Sequence, residues 1–379
     1  MRVLVAIGGV VLTFLVLLDA FEAIVLPRRV TRRFRLTRFF YRTFWRPWKA
    51  AARHIHSSKK RESFLSFFGP LSLLMLLSLW AISLVMSFAM LQWALRLGLN
   101  IPQEQAGFGT YAYMSGVTLF TLGFGDVTPS EPLGRAMIVA EAGIGFGFLA
   151  LIIGYLPVIY QSFSRREANI SLLDARAGSP PSVAELLRRH GQNMEELRDL
   201  LRDWERWSAD LMESHLSYPV LCFYRSQHNN QSWLTALTTI LDASALLIVG
   251  IDGGPARQAQ LTFAMARHAV VDLSQIFNTP PRAPVPDRLS PGELTRLRGL
   301  LAATDIKLRD DIAADQKLCE LRQMYEPYAN SLADYLFVTI PTWIPPGETF
   351  DNWQTSAWGR ISRGIAGSPV IESRDEEHS

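Results

Sequence analysis

The run Thr118-Leu119-Phe120-Thr121-Leu122-Gly123-Phe124-Gly125-Asp126 puts two threonines, two glycines and one carboxylate within nine residues. Its chemistry is that of the backbone. Gly123 and Gly125 accept angles that residues with a Cβ resist, which lets successive carbonyls point the same way. Thr121 can add its hydroxyl to such a row of oxygens, with Leu122 and Phe124 pointing away and bracing it. Side-chain catalysis has less to stand on, because residues 165–379 carry no nucleophile motif, metal set or phosphate loop. His215, His228 and His268 with Cys222 lack metal-ligand spacing and read as core or polar-surface residues.

The elements that hold this run are apolar. Of 379 residues, 49% are hydrophobic and only 19% charged, below the roughly 25% of soluble domains. The first long apolar run, Val3 to Leu26, is too long for a signal-peptide core and carries Asp19 and Glu22 where a cleavage site would lie. It reads as a retained membrane span. Its two acids share a helix face, as functional carboxylates or as salt-bridge partners of Arg28 and Arg29. A second uncharged run extends from Ser63 to Leu95, with an entry bend expected at Gly69-Pro70, and a third covers Ala136 to Phe163.

The net charge of +3 hides an asymmetry. Pro27 to Arg61 holds 13 Lys and Arg and no acid, which leaves the remainder at −10. A basic loop between two spans marks the cytoplasmic side, so the N-terminus is expected outside and everything after residue 165 inside, in a cell (inner or plasma) membrane. That position argues against a nucleic-acid-binding arm. Arginines interleaved with Phe34, Phe39, Phe40, Tyr41, Phe44, Trp45 and Trp48 suit an in-plane helix bedded in anionic headgroups. Arg28, Arg29, Arg32, Arg33, Arg35 and Arg38 are the candidate lipid contacts.

The nine-residue run resembles the potassium-channel signature, commonly T-x-x-T-V-G-Y-G-D, and its setting is similar to the two-helix-plus-pore unit of that superfamily over roughly residues 63–164. The resemblance implies a filter at Thr121, Leu122, Gly123, Phe124 and Gly125, whose oxygens replace the hydration shell of K⁺. K⁺ ions would sit at Thr121 to Phe124, with no organic cofactor. One such run per chain implies a homotetramer. Thr118, Tyr113, Asp126 and Glu141 are the candidate supports, with Tyr113 the expected partner of Asp126. Phe124 departs from the common Tyr, and Val117 stands where some relatives place a carboxylate.

In the third span, Gly143 and Gly147 form a G-x-x-x-G pair suited to packing. By resemblance Gly145 or Gly147 falls where inner helices hinge, while Gly154 and Pro157 offer a fixed kink instead. Glu141 either tunes or titrates near the filter, or holds structure by bonding the pore-helix backbone.

The chain therefore reads as an all-α membrane protein with three transmembrane helices per subunit, a re-entrant pore helix and filter, and an α-helical cytoplasmic domain. The expected boundaries are 1–26 for the first span, 27–62 for the basic segment, 63–164 for the pore, 165–366 for the helical domain and 367–379 for a disordered tail. Within the helical domain Ser182 and Glu185 form a capping-box pattern before a helix to Leu216, with further helices over 219–250, 255–277, 290–303 and 305–338. No Rossmann fingerprint or cyclic-nucleotide roll is legible there. An unidentified small-molecule or protein regulator is expected to act on this domain; His215 to Trp233 reads equally as a pocket for it or as satisfied polar groups of the core. The function expected is passive K⁺ conduction; a non-conducting membrane sensor or scaffold is the alternative.

Overall fold

The computed structural model describes residues 1–26, 36–101, 106–191, 193–228, 230–251 and 253–345. Thirteen α-helices carry the described chain, and strand pairing is limited there to two isolated bridges.

Three long apolar helices form one layer. Helix α1 (Arg2–Ala20) continues through a π-helical turn, Phe21–Val25. It packs against α4 (Phe68–Ala94) through small residues: a Cβ on Gly9 would come within 2.9 Å of the Ser87 carbonyl. Thr13 Oγ1 donates to Ser87 Oγ there at 2.8 Å. Without water to drive association, such close backbone approach and buried hydroxyl bonds hold membrane helices together. A shorter helix, α5 (Phe108–Leu119), lies between α4 and α6 (Pro132–Ala177). The expected bend at Gly69-Pro70 falls slightly earlier, at Phe67, between α3 (Ser58–Ser66) and α4. Pro70 then occupies the first turn of α4, where its missing N–H costs nothing.

Helix α6 runs unbroken past residue 164, so the expected boundary between pore and helical domain lies inside a helix. Past Gly178, α7 (Val183–His190), α8 (Met194–Ser217), α9 (Trp233–Gly250), α10 (Ala256–Ile276), α11 (Pro291–Ala302), α12 (Ile312–Gln323) and α13 (Glu326–Leu336) build the helical domain. The expected helices over 182–216, 219–250 and 305–338 are each divided, at Gly191, by a 3-10 turn at Pro219–Phe223, and at Met324-Tyr325. Ser182 caps α7 by accepting from the Glu185 amide, but the Glu185 carboxylate bonds Arg188 and Arg189, so the reciprocal half of that box is not made. The full capping box forms at Ser290 and Glu293.

Among the described residues four helices are long and apolar enough to cross a membrane, the fourth being α9. Its most apolar window is 89% buried within the fold, against 22% for α1 and 17% for α6. Lipid cannot reach a helix so enclosed, and α9 is the core of the helical domain. Its threonines return bonds to the preceding turn, Thr238 to the Leu234 carbonyl at 2.7 Å and Thr239 to that of Thr235 at 3.0 Å. Asp242, fully enclosed on α9, accepts from Arg288 and Tyr325; Arg288 and Arg322 also bind Glu326. Burial pushes the Asp242 carboxyl above the usual carboxylate range against the opposing pull of Arg288.

The basic segment differs from its expected form. Helix α2 (Leu36–Arg53) buries Phe40, Tyr41 and Trp45, with Tyr41 and Trp45 against Phe68 and Phe223, and Trp45 Nε1 donates to the Tyr335 carbonyl at 2.9 Å. These aromatics are protein core, not lipid anchors. Arg38, Phe39, Arg42, Phe44 and Arg46 remain on the exposed side. Arg28, Arg29, Arg32, Arg33 and Arg35 lie outside the described residues, as does the expected tail at 367–379.

Candidate functional site

Helix α5 delivers the nine-residue run. Its C-terminal carbonyls are used at once: Thr121 N–H donates to the Thr118 carbonyl at 3.0 Å, and Leu122 N–H to that of Val117 at 2.9 Å. The backbone then takes positive φ at Thr121 (57°), Gly123 (58°) and Gly125 (78°), at every second residue. Alternation of this kind turns successive carbonyls toward one side, and only glycine adopts it without a Cβ penalty. Thr121, which has a Cβ, holds the strained angle at the point where the chain leaves the helix.

Three sets of contacts position the run. Tyr113 Oη donates to Asp126 Oδ2 at 2.8 Å, bringing together the pair expected from the sequence. Beyond it, Asn100 and Thr128 pair through backbone and side chain, and Ser130 N–H donates to the Gly98 carbonyl at 2.9 Å, which ties the exit of the run to the end of α4. Behind it, Glu141 of α6 is fully buried. Its Oε2 accepts from Gln92 Nε2 of α4 at 2.8 Å, and its Oε1 is bonded to Ser115 Oγ of α5. One carboxyl group thus joins three helices. The expected bond to the pore-helix backbone is replaced by bonds to two side chains.

The candidate gating residues separate by environment. A Cβ on Gly145 would lie 2.1 Å from the Leu119 carbonyl oxygen, so this glycine is required for α6 to touch the end of α5. Gly143, Gly147 and Gly154 have nothing within 4 Å of a Cβ in the single chain, and Pro157 sits within unbroken helix. Leu122 and Phe124 are 58% and 66% exposed in the single chain.

Among the described residues Asp19 meets α2 and α4. It accepts from Thr37 N–H at 3.1 Å, Thr37 Oγ1 at 2.7 Å and Trp80 Nε1 at 3.1 Å, so it caps α2 and joins it to α1 and α4. Of the two readings of His215 to Trp233, the core one describes His215, Cys222 and Trp233, which are buried. Only Ser217 and Tyr218 of that stretch line the adjacent cleft of about 260 Å³ between α6 and α8. No group of three or more His, Cys, Asp or Glu able to hold a metal occurs among the described residues.

Sequence reading missed Gln92 and Ser115. Gln92 had a signal, as the polar amide in an otherwise uncharged apolar run, and an acid elsewhere in the membrane layer needs such a donor.

Residues 73–161 match the family model described as ion channel. That stretch takes in most of α4, all of α5, the run after it and the apolar part of α6, and it is an ion-channel module of the two-helix kind. The chain is 25% identical over 192 residues to the uncharacterized membrane protein YdjJ of Bacillus subtilis (strain 168), a match covering 49% of this chain and 55% of that one. It therefore spans about half the length of the relative it matches. No solved structure matches. The protein is a multi-pass membrane protein with an ion-channel module.

Proposed function

We propose that four copies of the chain assemble around the Thr121–Gly125 run and conduct K⁺ passively through rings of backbone carbonyls. The observation that carries this is the positive φ at every second residue from Thr121 to Gly125, within an ion-channel module. Dehydrating K⁺ needs a stack of such oxygens on a common axis, and one chain supplies a quarter of each ring. The exposed apolar side chains Leu122, Phe124, Val139, Phe146, Leu149 and Ile153 favour assembly, because neighbouring copies would cover them.

In this reading Thr121 supplies its hydroxyl as the innermost ring, while Thr118, Tyr113, Asp126 and Glu141 hold the filter. The inner helix gates at Gly143, Gly145 or Gly147, or near Gly154–Pro157. The N-terminus lies outside, and the basic segment and helical domain lie in the cytoplasm. Arg38 and the arginines at 28, 29, 32, 33 and 35 contact anionic lipid, and the helical domain regulates conduction.

The test is the reversal potential of proteoliposomes under opposed K⁺ and Na⁺ gradients, with and without Ba²⁺. A Ba²⁺-sensitive potential near the K⁺ equilibrium value, abolished by Gly123→Ala, is expected. A value midway between the two equilibrium potentials would refute K⁺ selectivity. Silence in every lipid, pH and Ca²⁺ condition would favour the non-conducting sensor.

A further inference from the structure

Among the contacts between the helical domain and the membrane layer, one short stretch of chain reaches both α4 and α6. After α8 the backbone makes the 3-10 turn Pro219–Phe223, and Phe223 is 3% exposed. Its ring stacks on Tyr41 at 5.4 Å and lies 5.1 Å from Trp45, 5.2 Å from Phe68 and 5.6 Å from Phe277. One side chain therefore touches α2, α4 and the end of α10. Tyr224 faces the other way, with its ring 5.6 Å from Phe163 of α6. It also covers Gly69 of α4, where a Cβ would come within 2.7 Å of the tyrosine ring. Tyr218, just before the turn, packs 5.5 Å from Tyr155 of α6.

Arg166 of α6 fastens this stretch. It is 3% exposed, and its guanidinium makes four hydrogen bonds of 3.0 Å or less. Nη1 donates to the Leu221 carbonyl at 2.9 Å and to His215 Nε2 at 3.0 Å; Nη2 donates to the Tyr224 carbonyl at 2.8 Å. Nε donates to Glu167 Oε1 at 2.8 Å, and the same carboxylate forms an ion pair with Nη2. Arginine cannot accept, so His215 accepts at Nε2 and carries its proton on Nδ1, beside Ser214 Oγ. In return Trp207 Nε1 donates to the backbone carbonyl of Arg166 at 3.3 Å. Only a planar fork fills these positions together; an ammonium has three donors and a different geometry.

We infer that Arg166 is a positioning residue for the pore: it locks the 218–224 stretch of the helical domain onto the inner helix, so that movement of the domain is delivered to α6. This rests on the channel reading above and names the contact through which the helical domain acts. No linker intervenes, because α6 is helical from Glu141, beside the pore helix, through Arg166 and on to Ala177. From Glu141 to Arg166 that helix makes a rod of about 37 Å. The same turn also grips α4 at Phe68 and Gly69, so it governs the separation of the two helices at this end of the pore module.

The experiment compares full-length wild type, Arg166→Gln, Arg166→Lys and, as a neighbouring control, Arg165→Gln in proteoliposomes. Two readouts are taken: K⁺ open probability with reversal potential, and maleimide labelling of Cys222, which is buried in the turn, against exposed Cys319 as internal reference. Losing the fork should speed Cys222 labelling about tenfold or more, the scale of one charge-assisted hydrogen bond. Cys319 labelling should not change. Open probability should shift about threefold or more at an unchanged reversal potential, and Arg165→Gln should match wild type in both readouts. Faster Cys222 labelling with wild-type open probability would overturn the inference, as would unchanged labelling. Arg166→Lys keeps the charge and carries the test if Arg166→Gln does not assemble. A wild type that passes no K⁺ defeats the channel reading instead, and is told apart because the labelling still reports on the contact.

Discussion

Gly145→Ala and Gly147→Ala make the same chemical change two residues apart on one helix, and the structure assigns them opposite signs. A Cβ at position 145 would lie 2.1 Å from the Leu119 carbonyl oxygen, 2.9 Å from its carbon and 3.0 Å from its Cα. Carbon makes its ordinary contacts near about 3.5 Å, so α6 and the end of α5 must part by more than about an ångström. All three opposing atoms are backbone, and no rotamer change relieves them. Overpacking of this kind costs about 1–3 kcal/mol, offset in part by the gain of up to about 1 kcal/mol from alanine in a helix. At Gly147 no atom lies within 4 Å, and only the gain remains. Thermal midpoints of the detergent-solubilised protein should therefore fall for Gly145→Ala and stay level or rise for Gly147→Ala. Leu119 immediately precedes Phe120 and Thr121, so K⁺ flux should fall with stability in the first variant. A Gly145→Ala protein that melts at or above wild type would refute the contact and the packing role drawn from it.

Further outcomes follow from the same contacts. Glu141→Gln can still accept from Gln92 and donate to Ser115, so it should retain assembly, whereas Glu141→Ala strands the Gln92 amide, leaves Ser115 only the Val85 carbonyl and opens a cavity, costing about 2–4 kcal/mol by thermal melting. Arg288→Met should destabilise the helical domain by about 3–5 kcal/mol, because it leaves Asp242 buried without its cation and Glu326 with Arg322 alone; adding Asp242→Asn should recover part of that loss. Burial, and then Arg166, hold the His215 imidazole well below its usual 6.5. The unfolded chain therefore binds a proton that the fold refuses as pH drops below about 6.5, and stability should decline by up to about 1.4 kcal/mol per pH unit from this group. His215→Gln should flatten that part of the slope between pH 7.5 and 5.5; an unchanged slope would mean that His215 is protonated in the fold.

Much of the site is legible from consecutive residues alone. The order of apolar helix, short helix, glycine-bearing run and apolar helix is written in hydropathy and composition over residues 63–164. So are the Ser182 cap and most helices of the helical domain, since capping and propensity act within a turn or two. Asp126 and Tyr113 lie close enough in sequence for their pairing to be read beforehand. The partners of the buried polar groups are another matter. Asp19 meets Trp80 from 61 residues away, Glu141 meets Gln92 from 49, Arg166 meets Leu221 from 55, and Trp45 meets Tyr335 from 290. Composition cannot tell that the aromatics of α2 face protein, or that Gly145 is a contact and Gly147 open space. Those facts depend on which helices the chain brings side by side. Packing then chose among readings that local sequence left equal, because a buried carboxylate, guanidinium or indole N–H is tolerated only where the tertiary path supplies its partner.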